Sequence, residues 1–208
     1  MQALFVHGMG RSPLSGWPML RRLRRAGIDT TTFAYATTLE DFARIGKRLS
    51  ARVLSIASRG DYIVIGHSLG GVLLRAVMNA LPPEAHRPQR MFLLGVPLHP
   101  ARLARRLQHN LVYRSFTRDC GQLLGSTARM SELAPPEIPV TAIAGIRGLP
   151  RGVGPFGDEP NDCVVALSEA SAEWLVDQVQ VPVIHTMLPA SARVAEVILD
   201  RVRTMDSR

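Results

Sequence analysis

Lysine, cysteine and aromatic residues are all scarce in this chain. Of its 25 basic residues only Lys47 is a lysine, so the formal net charge of +8 rests almost wholly on arginine. An all-arginine surplus reads as a composition bias as readily as a binding face. Leu20, Leu23 and Ile28 fit the buried side of a helix whose Arg21, Arg22, Arg24 and Arg25 face water, the ordinary amphipathic arrangement. No nucleic-acid partner is therefore expected; attraction of the arginines to anionic lipid or an acidic acyl carrier is the weaker reading. Two cysteines, Cys120 and Cys163, are too few for a disulfide framework and are expected as free thiols, as in a reducing compartment. No run of about 18 apolar residues exists, which excludes an integral membrane helix. The N-terminus also lacks a basic region followed by an apolar run and a cleavage site, so a cytoplasmic location is expected. With no H-E-x-x-H, no cysteine pair at zinc spacing, no clustered carboxylates and no phosphate loop, neither a metal nor a cofactor is expected. Repeats, low-complexity tracts and linkers are missing too. A single domain over residues 1–208 follows.

What the chain does have is alternation. The apolar patterns predict strands at 2–7, 31–36, 61–66, 90–95, 139–145 and 181–184. Helices are predicted at 15–26, 39–58, 69–80, across 100–132, at 168–179 and at 190–204. Strand-helix alternation implies an α/β class, a mostly parallel sheet of about six strands with helices on both faces. Ligands of such sheets bind at the carboxyl ends of the strands. Residues 146–161 are the longest turn-rich stretch; their glycines and prolines exclude regular structure. They lead directly into Asp162 and are expected to flank the site.

The most specific local feature is Gly66-His67-Ser68-Leu69-Gly70-Gly71, which follows the apolar run Tyr62-Ile63-Val64-Ile65 and precedes the helical pattern from Val72 to Val77. G-x-S-x-G alone is weak, since about one chain in ten of this length carries it by chance. Its position between a buried strand and a helix adds the specificity. A serine there sits on a turn so tight that its neighbours need small side chains, and the turn exposes its hydroxyl. The helix starting near Leu69 aims its free N–H groups and positive dipole end at the same point. An oxyanion fits there.

Together with Ala3-Leu4-Phe5-Val6-His7-Gly8-Met9-Gly10, this strand-turn-helix resembles the α/β-hydrolase superfamily, most closely its small bacterial lipases and esterases. The likeness runs from Ala3 to about Arg203. It implies a minimal α/β-hydrolase fold with Ser68 as nucleophile and the backbone N–H groups of Met9 and Leu69 as oxyanion hole. The family's chain order is serine, acid, histidine. Asn161-Asp162-Cys163-Val164-Val165 is similar to its acid loop, and Val181-Pro182-Val183-Ile184-His185-Thr186 to its last strand and histidine turn, so the resemblance implies Ser68, Asp162 and His185 as the triad. Two departures stand out. The family often places Gly after the acid, where this chain has Cys163, and after the strand at Met91 relatives commonly continue into Gly-Ser, where this chain has Pro97-Leu98-His99-Pro100.

The expected activity is that of a serine hydrolase cleaving carboxylic esters of a small molecule or lipid through an acyl-enzyme. Ser12 and Trp17 are candidate substrate contacts, with Ser15 and Met19 beside them and core packing the competing role for Trp17 and Met19. His7 is expected to be structural and His67 to point away from the serine. Phe116, Leu123 and Leu124 mark where a small lid would lie. Ordinary roles compete at the triad positions: a helix N-cap for Ser68, a turn former for Asp162, a strand-end histidine for His185. Competing functions are a thioesterase or acyltransferase with the same triad, and a catalytically silent binding protein of the same fold.

Overall fold

The computed structural model describes residues 1–206 and shows one six-stranded sheet in the order β2-β1-β3-β4-β5-β6. The strands are β1 (Gln2–Val6), β2 (Asp29–Phe33), β3 (Tyr62–His67), β4 (Arg90–Leu94), β5 (Val140–Gly145) and β6 (Asp177–Val181), and every pairing is parallel. Parallel neighbours need crossovers, and helices supply them. Strands β1, β3, β4 and β5 lie between two others and are buried nearly throughout, which explains their unbroken apolar runs. The edge strands β2 and β6 read Asp-Thr-Thr-Thr-Phe and Asp-Gln-Val-Gln-Val and keep one side polar.

Alternation along the strands sorts the core into two layers. Leu4, Val6, Tyr62, Val64, Met91 and Leu93 face α2 (Phe42–Ala57) and α3 (Leu69–Ala80), joined by Ile45, Leu49, Val53 and Ile56 of α2. Ala3, Phe5, Ile63, Ile65, Phe92 and Leu94 face α1 (Trp17–Arg25) and α7 (Ala192–Asp206), where Leu20, Leu23, Val194 and Ile198 complete the layer. Helices thus cover both faces.

The expected helix at 168–179 and strand at 181–184 are corrected. Residues 168–179 form no long helix: a 3-10 turn at Ser168–Ala170 is followed by an irregular stretch and then β6. The polar-apolar alternation of Asp177 to Val181 is that of an edge strand, and Pro182, which lacks an N–H, ends it, so the strand lies before 182 rather than at 181–184. The region 100–132 is three helices, α4 (Arg102–Leu107), α5 (Leu111–Gly125) and α6 (Thr127–Ser131). Helix α5 itself breaks at Arg118, whose φ of 46° lies outside the helical region. Leu123 and Leu124 are buried after that break, whereas Phe116 before it is 66% exposed.

The strand-turn-helix at Ser68 depends on missing side chains. A Cβ at Gly66 would overlap the backbone of Gly71, and one at Gly70 would overlap the carbonyl oxygens of Val6 and His7. Gly46, inside α2, has open space around the same position. Gly70→Ala is expected to cost at least about 2 kcal/mol, the scale of overpacking against an unyielding backbone. Gly46→Ala is expected to add about 0.5–1 kcal/mol by removing backbone freedom from a helix interior. Urea unfolding of the two variants beside wild type measures both; equal midpoints would contradict the packing described.

Candidate active site

The carboxyl ends of β1, β3, β4 and β5 bring the relevant turns together. Ser68 follows β3 with φ 52° and ψ −126°, a conformation L-residues avoid, and is partly exposed. Two backbone bonds hold it there: its N–H donates to the Leu94 carbonyl at 3.0 Å, and its own carbonyl accepts from the Gly71 N–H at 2.9 Å. Leu69, the first residue of α3, is fully buried, so its N–H lies at a fixed point.

The turn after β1 is built round His7. Its Nδ1–H donates to the Gly8 carbonyl at 2.8 Å, its Nε2 accepts from the Tyr35 N–H at 3.4 Å, and its ring stacks on that of Tyr35 at 4.4 Å. The Tyr35 hydroxyl closes the unit by donating to the His7 carbonyl at 2.8 Å. Gly8 passes so close over His67 and Ser68 that a Cβ there would lie 2.9 Å from His67 Nδ1 and 3.1 Å from Ser68 Cβ. This glycine brings the turn after β1 against the serine. Among the described residues, neither the Met9 nor the Leu69 N–H has an acceptor in the chain.

Asp162 and His185 meet directly. Asp162 is 1% exposed; its Oδ1 accepts from the N–H groups of Val164 and Val165 at 3.0 and 2.7 Å, and its Oδ2 accepts from His185 Nδ1 at 2.7 Å. A carboxylate accepts, so the proton of this bond sits on Nδ1, and in the neutral imidazole Nε2 then carries the lone pair. The main chain repeats the link, His185 N–H donating to the Asp162 carbonyl at 2.9 Å. Gly95, just past β4, lies against both: a Cβ there would stand 2.8 Å from Asp162 Oδ2 and 3.0 Å from His185 Nδ1. Ser68, bonded to Leu94, is therefore one residue from the position that touches the acid-histidine pair. Among the described residues no hydrogen bond joins Ser68 to the His185 ring; bonds of this kind commonly tighten only with substrate bound.

Cys163 sits at φ 82°, in the left-handed region that the corresponding glycine of the resembled family adopts freely. Asn161 holds the loop in that shape: its Oδ1 accepts from the Leu149 and Cys163 N–H groups, and its Nδ2 donates to the Leu149 and Glu159 carbonyls. The turn-rich stretch 146–161 is anchored through this amide, and through the ion pair of Glu159 with Arg102 at 2.9 Å it reaches α4.

The remaining candidates separate. Met19 is fully buried in the α1 layer and belongs to the core, whereas Trp17 is half exposed under the Arg21 guanidinium at 5.2 Å. Ser12 is exposed, and its carbonyl accepts from the Ser15 hydroxyl and N–H. The His67 side chain lies against His185. Its ring lies 4.8 Å from that of His185, and its Nε2 donates to the His185 carbonyl at 3.0 Å. Tyr35, Gly95 and this contact carry no motif of their own, and the acid-loop resemblance that includes Asn161 gives no sign of its anchoring bonds. Only the period-two alternation that puts His67 on the face of Ile63 and Ile65 signalled where its side chain goes. Both Cys120 and Cys163 are free thiols. Among the described residues no group of His, Cys, Asp or Glu is arranged to hold a metal ion, and no helix is long and apolar enough to cross a membrane.

Two predictions follow from this geometry. Cys163→Gly relieves a left-handed side chain at some cost in chain entropy and is expected to stabilise by about 0.5–1 kcal/mol, read from thermal or urea unfolding. The second concerns pH. Burial holds His67 well below the usual histidine pKa, with His185 adding to the effect, and burial lowers His7 as well. In the unfolded chain both titrate near about 6.5. As pH falls below that value the unfolded state takes up protons that the folded state refuses, so stability is full above it and declines toward the lower folded values. The urea midpoint should drop between about pH 7.5 and 5.5, and less steeply in His67→Gln; parallel slopes would refute the assignment to His67.

No protein-family model and no curated protein sequence matches the chain. Solved structures do. The lipase BlEst2 of Bacillus licheniformis, in its propeptide form, superimposes with a TM-score of 0.77 at 20% identity, over 95% of this chain and 49% of that one. This chain thus spans about half the length of that lipase. A metagenomic carboxyl esterase gives 0.72 at 16% identity over 90% of this chain and 65% of its own. The RedJ thioesterase of the prodiginine biosynthetic pathway in Streptomyces coelicolor gives 0.64 at 13% identity, over 98% and 85%. These likenesses and the all-parallel sheet that ends in the turn at Ser68 show that the chain has the α/β-hydrolase fold.

Proposed function

We propose that the protein is a serine hydrolase of carboxylic esters, with Ser68 as nucleophile, His185 as general base and acid, and Asp162 as the carboxylate that orients His185. The observation that carries this reading is the buried 2.7 Å bond from His185 Nδ1 to Asp162 Oδ2, which leaves Nε2 available as a base, together with a serine held on a strained turn whose N–H is bonded to Leu94, next to the Gly95 that touches this pair. His185 takes the Ser68 proton as the hydroxyl oxygen attacks the ester carbonyl, then returns it to the leaving alcohol. Water repeats the sequence on the acyl-enzyme. The Met9 and Leu69 N–H groups, free of other acceptors, hold the oxyanion, each donor of this kind being worth about 2.7–4 kcal/mol at the transition state.

Next to Met9 a cleft of about 290 Å³ runs between Gly10, Arg11, Tyr35, Thr37 and Phe116. It lies at the lower end of the range for small-molecule sites and suits a short acyl or alkyl group better than a long chain. The esterase and lipase among the structural neighbours support ester cleavage, and the thioesterase neighbour supports a second reading in which a thiol is the leaving group of the same chemistry.

Wild type should label with a fluorophosphonate probe and turn over p-nitrophenyl butyrate faster than the palmitate. Ser68→Ala should not label, and its kcat should fall on the order of 10⁴-fold or more. Asp162→Asn should lose about 10⁴-fold while still binding the ester. Faster turnover of acyl-CoA than of oxygen esters would select the thioesterase reading. A folded wild type that neither labels nor hydrolyses any of these would overturn both.

A further inference from the structure

The bonds between Asp162 and His185 place the histidine relative to the acid but not relative to the nucleophile. The acid loop follows β5, and Ser68 follows β3, with β4 between them. Among the described residues one hydrogen bond joins the turn at 67–69 to the turn at 185–190: His67 Nε2–H to the His185 carbonyl oxygen, 3.0 Å and 118 residues apart in sequence. We propose that His67 is a positioning residue, whose Nε2–H fixes the backbone of His185 against the peptide that carries Ser68. The proposal rests on the reading of His185 as the base.

The ring's other nitrogen supports a use for this donor. Among the described residues, His67 Nδ1 is buried with no hydrogen-bond partner and faces Gly8. A buried orphan acceptor is unfavourable, and an apolar side chain of similar volume would fill the space without it. Imidazole at this position is therefore explained by what its Nε2–H does. The carbonyl requires the proton on Nε2, and a second proton on Nδ1 would have no acceptor, so the ring stays neutral with its donor aimed at residue 185. Among the described residues three bonds tie His185 to other segments. Its N–H and Nδ1–H donate to Asp162, and its carbonyl accepts from the residue before the nucleophile. The 4.8 Å approach of the two rings keeps the His185 imidazole against the same neighbour. A displacement of about 1 Å between base and nucleophile is enough to cost on the order of 100-fold in rate.

The test uses the intact protein and three variants. His67→Met fills the site without a donor, His67→Gln reaches the Nε2 position with an amide N–H, and His67→Asn places its amide near the Nδ1 position and falls short of the carbonyl. Two readouts are taken: kcat and KM for p-nitrophenyl butyrate, and the low-field proton resonance of the His185 Nδ1–H, assigned by its loss in Asp162→Ala. Expected for His67→Met and His67→Asn is a fall in kcat of about 10- to 100-fold with KM little changed, and a broadened or missing resonance. His67→Gln should restore both. Unchanged kcat and resonance in folded His67→Met overturns the proposal, as does a His67→Gln no better than His67→Asn. If His67→Met does not fold, the Gln and Asn pair decides alone. A wild type that shows the resonance but neither labels nor hydrolyses defeats the ester-hydrolase reading, and the resonance then decides the role of His67 by itself.

Discussion

Everything at the carboxyl end of the sheet follows from how closely α3 runs to β1 and β3. The helix must leave β3 in a direction that lays its first turn on the backbones of both strands, and Gly66 and Gly70 are the positions where a side chain would prevent that; at Gly71 a Cβ would meet the Val96 and Leu93 side chains instead. The turn is then so tight that Ser68 is forced to positive φ, a strain of about 1–3 kcal/mol that the surrounding packing must offset. Buried β3 and the buried apolar face of α3 supply that offset. The strain is thus a consequence of close packing, and the exposure of the serine is a consequence of the strain.

Other segments approach that point by different means. After β1 the chain is fixed by an aromatic stack and three hydrogen bonds between His7, Gly8 and Tyr35. After β5 it is fixed by two side chains that act as templates for the main chain, Asn161 for the stretch before the acid and Asp162 for the one after it. The loop past β4 is held from the far side by Arg75 of α3, a buried guanidinium that donates to the Leu98 and Leu133 carbonyls under the Trp174 ring. Burial lowers its pKa to about 10, still far enough above neutrality that it stays charged and keeps donating. Carbonyl acceptors and an aromatic face hold its two terminal nitrogens without a second buried charge, which avoids the desolvation penalty of a buried ion pair, while its buried Nε has no partner among the described residues.

The fold was legible wherever strands were buried on both faces, because such strands are continuous apolar runs that local chemistry does not disguise. It was misread at the edge: Asp177 to Val181 alternates like a strand, but five residues after a helix-like stretch gave too short a signal to outweigh it. The break at Arg118 was invisible for a related reason, since neither Pro nor Gly marks it and the left-handed residue is an arginine whose guanidinium donates to the Thr38 carbonyl, 80 residues away in sequence. Of the proposed triad, Ser68, Asp162 and His185 could each be named from motifs and chain order. Residues that hold them could not. Gly95 matters because of what it lacks beside Asp162 and His185, and Tyr35 and His67 act through long-range contacts that no local motif encodes.

Cys163 shows how far a motif departure can be read physically. A cysteine where the resembled family favours glycine raises the question whether the loop keeps its shape, and the answer lies in which group pays the conformational cost. At φ 82° the residue is strained, yet its N–H donates to Asn161 Oδ1, and the next two N–H groups converge on Asp162 Oδ1. Three consecutive donors directed at two side-chain acceptors require the chain to reverse at residue 163, whatever its side chain. Those bonds, two of them to an ionised acceptor, outweigh a penalty of about 1–2 kcal/mol for one left-handed residue. The loop geometry is therefore set by Asn161 and Asp162, and glycine at 163 is a convenience of the turn rather than its cause.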